Sequence, residues 1–465
     1  MFLGVVLPIF YILPTKSSKN VFLLISSYFF YGYWDWRFCS LLALSTIIDF
    51  FIGQILFKTV EQNKRKLLVT ISLISNLGIL GFFKYFNFFV DSFKDISEKI
   101  GWNTDYLHLN IILPVGISFY TFQTLSYTID IYRKRLEPTN NFIDFALFVA
   151  FFPQLVAGPI ERAKSLLPQL TKKLTPTKIQ IKQGIVLIIT GLFRKVLIGD
   201  TAGRYVDHIF GDLELYKSIE VISALVLFSI QIYADFSGYS RIARGTAKLL
   251  GIELMKNFEQ PYLSRNITEF WRRWHISLSS WLKDYLYISL GGNRLGKYRT
   301  YVNLMITMLL GGLWHGASWN FVIWGGLHGF YLSIHKIILG KKKLNTKNIK
   351  KIDFKSIANM LITFVLVLFT WIFFRSTSWD TTMLFFSKII HWETSEYSLL
   401  FITIVFSYLV LIVLFDLFEY ITESHTYILK IKSNAIKIGI LSAMLIVTFI
   451  YMFQADPLPF IYFQF

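Results

Sequence analysis

Long apolar windows recur along this chain from one end to the other, and each constrains the backbone in the same way. Residues 21–34 continuing to 40–57, 67–90, 183–199, 221–234, 357–374, 398–418 and 438–453 are such windows, with shorter runs at 2–14, 111–128, 143–160, 301–313 and 318–334. A helix that spans a bilayer needs roughly 17–25 apolar residues. Inside lipid every backbone N–H and C=O must be satisfied within the protein, so windows of this length cross as helices. The expectation is an all-α integral membrane protein of about a dozen helices, some re-entrant or tilted. Composition agrees. Of 465 residues, 54% are hydrophobic, 18% aromatic and only 16% charged, a balance foreign to a soluble domain of this length. Residues 2–14 carry no basic flank and no cleavage signal, and read as a retained first helix.

The net charge of +18 sits in loops. Residues 336–355 hold eight Lys and one Asp, residues 162–182 six Lys or Arg and no acid, and residues 58–66 three Lys and one Arg against Glu61. The positive-inside rule places these three loops in the cytoplasm. Residues 91–108, with four acids and two Lys, and 200–220, with five acids and two bases, face the other side. Basic loops that orient a chain and meet anionic lipid need no nucleic acid to explain them. A single cysteine, Cys39, allows neither an internal disulfide nor a thiolate cluster. No metal site is expected.

No Pro/Gly/Ser-rich linker divides the chain, so residues 1–465 read as one polytopic domain with a core to about residue 374. Residues 398–465 look peripheral, because their spans carry few polar residues. Residues 258–300 mix Trp, Arg and Lys too densely to cross lipid. There Ser264, or Asn266 with Thr268, starts a helix on which Trp271, His275, Leu278 and Leu282 share one stripe, while Arg272, Arg273 and Lys283 fall elsewhere. That is the pattern of an interfacial amphipathic helix, and Gly291-Gly292-Asn293 ends it.

His315 lies in GGLWHGASWNFVIWGGLHG (311–329), an ionisable group in apolar surroundings. Such groups are costly at membrane depth and mark function or cross-helix hydrogen bonding. Gly311, Gly312 and Gly316 let backbone approach closely, and Trp314 and Trp319 exclude water. A neutral imidazole there is suited to act as general base towards a hydroxyl. His275 faces inward from the interfacial helix. On a continuous helix His328 would face away from His315, which makes it structural. Asp235 in YADFSGYS either orients a histidine, pairs with Arg241 or Arg244, or caps a helix. The Walker, dinucleotide, H-E-x-x-H and G-x-S-x-G signatures are absent.

Six motifs occur in order: LPVGISFYTFQTLSYTIDIYR (113–133), FFPQLVAGPIER (151–162), DFSGYS (235–240), FWRRWHISLSSWLKDYLYISLGGNR (270–294), LGGLWHGASWNFVIWGGLHG (310–329) and PFIYFQF (459–465). Together they resemble the membrane-bound O-acyltransferase family, in its bacterial alginate O-acetyltransferase branch, over nearly the whole chain. The D-alanyl transfer proteins of teichoic acid synthesis are a less close likeness. The resemblance implies a helical ring around a central funnel, with the family's membrane histidine at His315 and its second histidine at His275. Arg241 stands where many members carry an acid.

The implied reaction takes an acyl group, acetyl first, from a cytoplasmic thioester such as acetyl-CoA, with no tightly bound cofactor. His315 would deprotonate the acceptor hydroxyl. His275 would position or polarise groups on the donor side, with Arg272, Arg273 and Lys283 near an anionic donor and Asp235, Trp314 and Trp319 in support. The acceptor would be an extracytoplasmic glycan, directly or through a relay or esterase-like protein, with an acyl carrier protein as a further possible partner. The setting would be the bacterial cytoplasmic membrane. D-alanyl transfer is the alternative within this chemistry. A transporter or channel is the alternative outside it, and the inverted repeats that would favour one are not visible.

Overall fold

The structure is a computed structural model that describes residues 2–102, 108–155, 158–339, 353–454, 456 and 458–463. Most of the basic loop 336–355, part of the acidic loop 91–108, and residues 464–465 of the terminal motif lie outside them. Helices and turns account for the described chain, without a strand among those residues. Among the described residues, six stretches are long and apolar enough to cross a membrane: Lys16–Lys58, Gln62–Lys99, Ser218–Leu249, Phe354–Arg375, Ser398–Thr422 and Asn434–Gln454. The chain forms two compact units, Met1–Gly184 with Thr246–Met255, and Ile185–Gly245 with Lys256–Phe465.

The first unit contains α1 (Phe2–Ile12), α2 (Lys16–Asp35), α3 (Cys39–Lys58), α4 (Gln62–Lys99), α5 (Ile117–Tyr132), α6 (Phe142–Ala150), α7 (Phe152–Leu155) and α8 (Ala163–Leu170). The apolar run at 111–128 becomes helical only from Ile117, because Pro114 and a left-handed Gly116 (φ +76°) hold the preceding chain in a turn. Phe10, Leu23, Leu42, Tyr127, Phe145 and Phe148 are central to its core. Within that core the Asp49 carboxylate accepts from Ser72, from Thr128 Oγ1 at 2.8 Å and from Asn76 Nδ2 at 2.7 Å. Polar side chains satisfied across helices hold membrane bundles together in this way.

The second unit holds most of α9 (Lys178–Phe193) and α11 (Ser218–Leu249), and all of α10 (Thr201–Gly211), α12 (Ile267–Arg273), α13 (Ile276–Trp281), α14 (Gly296–His315), α15 (Trp319–Leu339), α16 (Phe354–Arg375), α17 (Trp379–Ile390), α18 (Ser398–Thr422) and α19 (Asn434–Gln454). A π-helical stretch, Arg194–Asp200, joins α9 to α10. The most apolar window of α11 is 83% buried inside the protein, against 11% for α18 and for α19. Helix α11 is therefore an internal strut. Gly238 on it lets α9 approach: a Cβ there would stand 2.8 Å from the Gly191 carbonyl oxygen.

Two sequence expectations change here. Residues 264–290 are not one amphipathic helix. Asn266 caps α12 by accepting from the Glu269 N–H, α12 ends at Arg273, and α13 begins at Ile276 before a second π-helical stretch, Leu282–Tyr287. His275 sits between α12 and α13 with φ +43°. Leu278 and Leu282 are buried as the stripe required. The second change concerns the continuous helix assumed between His315 and His328: the runs 301–313 and 318–334, separate in the sequence, form a hairpin. The chain reverses between His315 and Trp319, and α14 packs on α15 through glycine: a Cβ on Gly312 would lie 2.1 Å from the Phe321 carbonyl oxygen. The opposite-face argument that separated His315 from His328 does not apply to such a hairpin.

Candidate active site

His315 is the last residue of α14, where the helix stops at an extended Gly316. Its imidazole is buried in an aromatic enclosure, with ring centroids at 5.1 Å for Trp314, 5.0 Å for Trp324, 5.3 Å for Phe374 and 5.4 Å for Tyr462. The His275 ring is 6.3 Å away. His275 in turn packs edge-on against Phe236 at 4.7 Å, Trp314 at 5.7 Å and Tyr462 at 6.2 Å. The two histidines that the sequence singled out, 40 residues apart, thus share one pocket of rings.

His275 is fully buried, and burial drives its imidazole down to about 3, so the ring is neutral at neutral pH. Its Nδ1 lies 3.2 Å from Asn257 Oδ1. Trp314, expected to shield the site, is buried between the two histidines. Trp319 is not a shield. It stands 60% exposed at the start of α15, and Trp324, five residues further on, takes the place expected for it.

Asp235 does not pair with Arg241 or Arg244. Its Oδ1 meets Lys195 Nζ at 2.9 Å, and its Oδ2 accepts from the Ile461 backbone N–H at 2.7 Å. Lys195 also bonds Asp200 and donates to the Leu458 carbonyl at 2.9 Å. These buried charges grip the segment 458–463 and place Tyr462 on both histidines. Arg241 instead pairs with Glu419 at 2.5 Å, and Arg244 Nη1 lies 3.0 Å from His425 Nδ1. Arg194 joins Asp416 at 3.0 Å and Glu419 at 3.2 Å. Both acids belong to α18, in the segment expected to be peripheral.

Among the expected donor-side cations, Arg273 is engaged. It pairs with Glu269 at 2.8 Å, donates to the Glu259 carbonyl at 3.2 Å and lies over Tyr420. Arg272 and Lys283 are exposed. His328 is fully satisfied. Trp271 Nε1–H donates to its Nδ1 at 3.2 Å, and its Nε2 faces Thr370 Oγ1 at 3.0 Å, which in turn donates to the Val367 carbonyl. That network is structural. Sequence reasoning missed Tyr462, Trp324, Lys195 and Asn257. The terminal aromatic motif was a signal for Tyr462, whereas nothing local marks the other three.

Comparison with known proteins adds the relatives. Residues 133–379 match the family described as MBOAT, membrane-bound O-acyltransferase family. The chain is 41% identical to the probable alginate O-acetylase AlgI of Pseudomonas aeruginosa over 403 residues, which is 85% of this chain and 75% of that protein. It is 36% identical to the peptidoglycan O-acetyltransferase of Helicobacter pylori, over 80% of this chain and 75% of that one. The teichoic acid D-alanyltransferase of Streptococcus thermophilus is a more distant relative, 29% identical over 52% of this chain and 61% of its own length. An all-helical chain with membrane-length apolar helices, a paired buried histidine site and these matches belongs to the membrane-bound O-acyltransferase family.

Proposed function

We propose that this protein O-acetylates an extracytoplasmic polysaccharide, with His315 as general base and a cytoplasmic acyl thioester, acetyl-CoA first, as donor. The observation that carries this reading is the enclosure of His315 and His275, ring centroids 6.3 Å apart, in a sheath of tryptophan and phenylalanine. A sheath of that kind keeps bulk water from competing with the acceptor hydroxyl. His315 takes the hydroxyl proton as the oxygen attacks the thioester carbon. The C–S bond breaks, and the departing thiolate takes up that proton from the imidazolium. His275 orients the reacting groups beside it.

The exposed Arg272 and Lys283 suit the phosphates of coenzyme A or of a phosphopantetheine arm on a carrier protein. Acetyl is favoured over D-alanyl because the relatives named for O-acetyl transfer match over 80–85% of the chain, against 52% for the D-alanyltransferase. The glycan receives the acyl group directly or through an extracytoplasmic relay protein, and the protein works in the cytoplasmic membrane. Replacing His315 tests the assignment. His315→Ala should insert and express normally while polysaccharide O-acetyl content, read by mass spectrometry, falls about a hundredfold or more. Substantial acetylation by that variant removes His315 as the base.

A further inference from the structure

We infer that Asn257 is the positioning residue that fixes the tautomer of His275, so that His275 presents a bare Nε2 lone pair to the site. The inference rests on His275 acting in the proposed reaction. Asn257 precedes α12, and it holds the turn between α12 and α13 with both its backbone and its side chain. Its carbonyl accepts from the Ile276 N–H at 2.8 Å. Its Oδ1 accepts from the Ser277 N–H at 3.2 Å and from Ser277 Oγ at 2.9 Å.

The Ser277 N–H is only a donor, so the amide of Asn257 must turn its oxygen, and not its nitrogen, towards it. That same oxygen lies 3.2 Å from His275 Nδ1. A carbonyl oxygen has no proton to give, and Ser277 Oγ, 3.5 Å from Nδ1, gives its proton to the same Asn257 oxygen at the shorter 2.9 Å, so Nδ1 carries the hydrogen. In a neutral imidazole the other nitrogen, Nε2, is then a lone pair. Nε2 is buried and has no hydrogen-bond partner among the described residues. The rings beside it that titrate are His315 and Tyr462.

One further feature fits a ring held for this purpose. His275 adopts the left-handed region at φ +43°, ψ +54°, which non-glycine residues seldom occupy. The Asn257 contacts to Ile276 and Ser277, on the residues that follow it, hold it there. The consequence is chemical. A neutral His275 with hydrogen on Nδ1 cannot donate to a carbonyl from Nε2. Its role is to accept a hydrogen bond: it orients an incoming hydroxyl or thiol. The sequence reading left open whether His275 positions or polarises, and this arrangement selects positioning.

Three measurements test the inference. Solid-state spectra of 15N-histidine-labelled protein in lipid, with His275→Ala identifying the signal, should show Nδ1 protonated and Nε2 bare. The Nε2–H tautomer overturns the inference. Thiol release from acetyl-CoA by the detergent-purified full chain, with deacetylated alginate as the acceptor probe, gives the second. Asn257→Ala should lower kcat about tenfold or more with donor KM within twofold. An unchanged kcat per folded molecule would reduce Asn257 to a helix cap.

Asn257→Asp keeps the acceptor for Ser277, so it carries the test if Asn257→Ala does not fold. Its carboxylate beside Nδ1–H favours the imidazolium and raises the His275 pKa. The neutral, accepting ring then exists only at higher pH, so the 15N-monitored titration of His275 should move upward. An unshifted titration also overturns the inference. His275→Ala in the thiol-release assay separates the two readings. If it retains full kcat, His275 leaves the site and this inference goes with it. If it is impaired while both Asn257 variants match wild type, the inference alone fails.

Discussion

At the scale of single residues, the site depends on side chains that do no chemistry. Lys195 is the clearest case. It is 5% exposed and holds two buried carboxylates, Asp200 and Asp235, and a backbone carbonyl of the terminal segment. Lys195→Met keeps the bulk and removes the charge. Both acids then lose their cation, and stranding a buried charge in this way costs about 3–5 kcal/mol. The expected result is a lower thermal midpoint and a terminal segment, 458–463, that becomes open to proteases. Asp235→Asn should do less, because its amide oxygen still accepts from the Ile461 N–H. Wild-type stability and protease protection in Lys195→Met would contradict this account. Lys195 could not be found from sequence. A lysine inside an apolar window announces a partner without saying which acids or which carbonyl, and here they lie 5, 40 and 263 residues away.

At the scale of elements, the α14–α15 hairpin is held by backbone contact at glycine. A Cβ on Gly312 would lie 2.1 Å from the Phe321 carbonyl oxygen, and one on Gly325 2.2 Å from that of Met308. These are backbone atoms in packed helices, which cannot move aside as a flexible side chain does. On Gly326 the Cβ would sit at an ordinary 3.5 Å from Leu309. Gly312→Ala should therefore destabilise by about 1–3 kcal/mol or more and displace His315, three residues on. Gly326→Ala should resemble wild type. Thermal unfolding in detergent and acyl-transfer rate measure both, and equal behaviour of the two variants would refute the close-packing argument. The sequence showed the glycines and the apolar pattern. It did not show that the chain turns back after His315, because apolar periodicity reports a buried face and is silent about where two helices meet.

At the scale of the whole molecule, the segment 398–465 is tied in by charge. Arg194 and Arg241 are buried, and their partners Asp416 and Glu419 come from α18. The same segment supplies Tyr462 to the histidines. Orientation across the bilayer is a separate matter and follows the loop charges. The basic 58–66 loop and the acidic loop from residue 91 lie at opposite ends of α4, whose 38 residues give roughly 57 Å of helix, more than a bilayer core. In a Cys39→Ser background, Lys64→Cys should react with a membrane-impermeant thiol reagent only from the cytoplasmic side, and Lys99→Cys only from outside. Labelling of both from one side would overturn the topology.

What the sequence determined by itself was the solvent and the chemistry. Runs of apolar residues of this length cross lipid as helices, and an imidazole kept among them at His315, with a second at His275, singles out a candidate site, because each is costly to bury unless something uses or satisfies it. What only the tertiary structure decided was the company those residues keep. Trp324 and not Trp319 packs on His315, Lys195 and not an arginine answers Asp235, and Asn257 reaches His275 from 18 residues upstream. The reason is physical. Period and hydropathy are properties of one helix at a time, whereas hydrogen bonds, ion pairs and ring contacts depend on how separate helices are packed, and no local pattern carries that register.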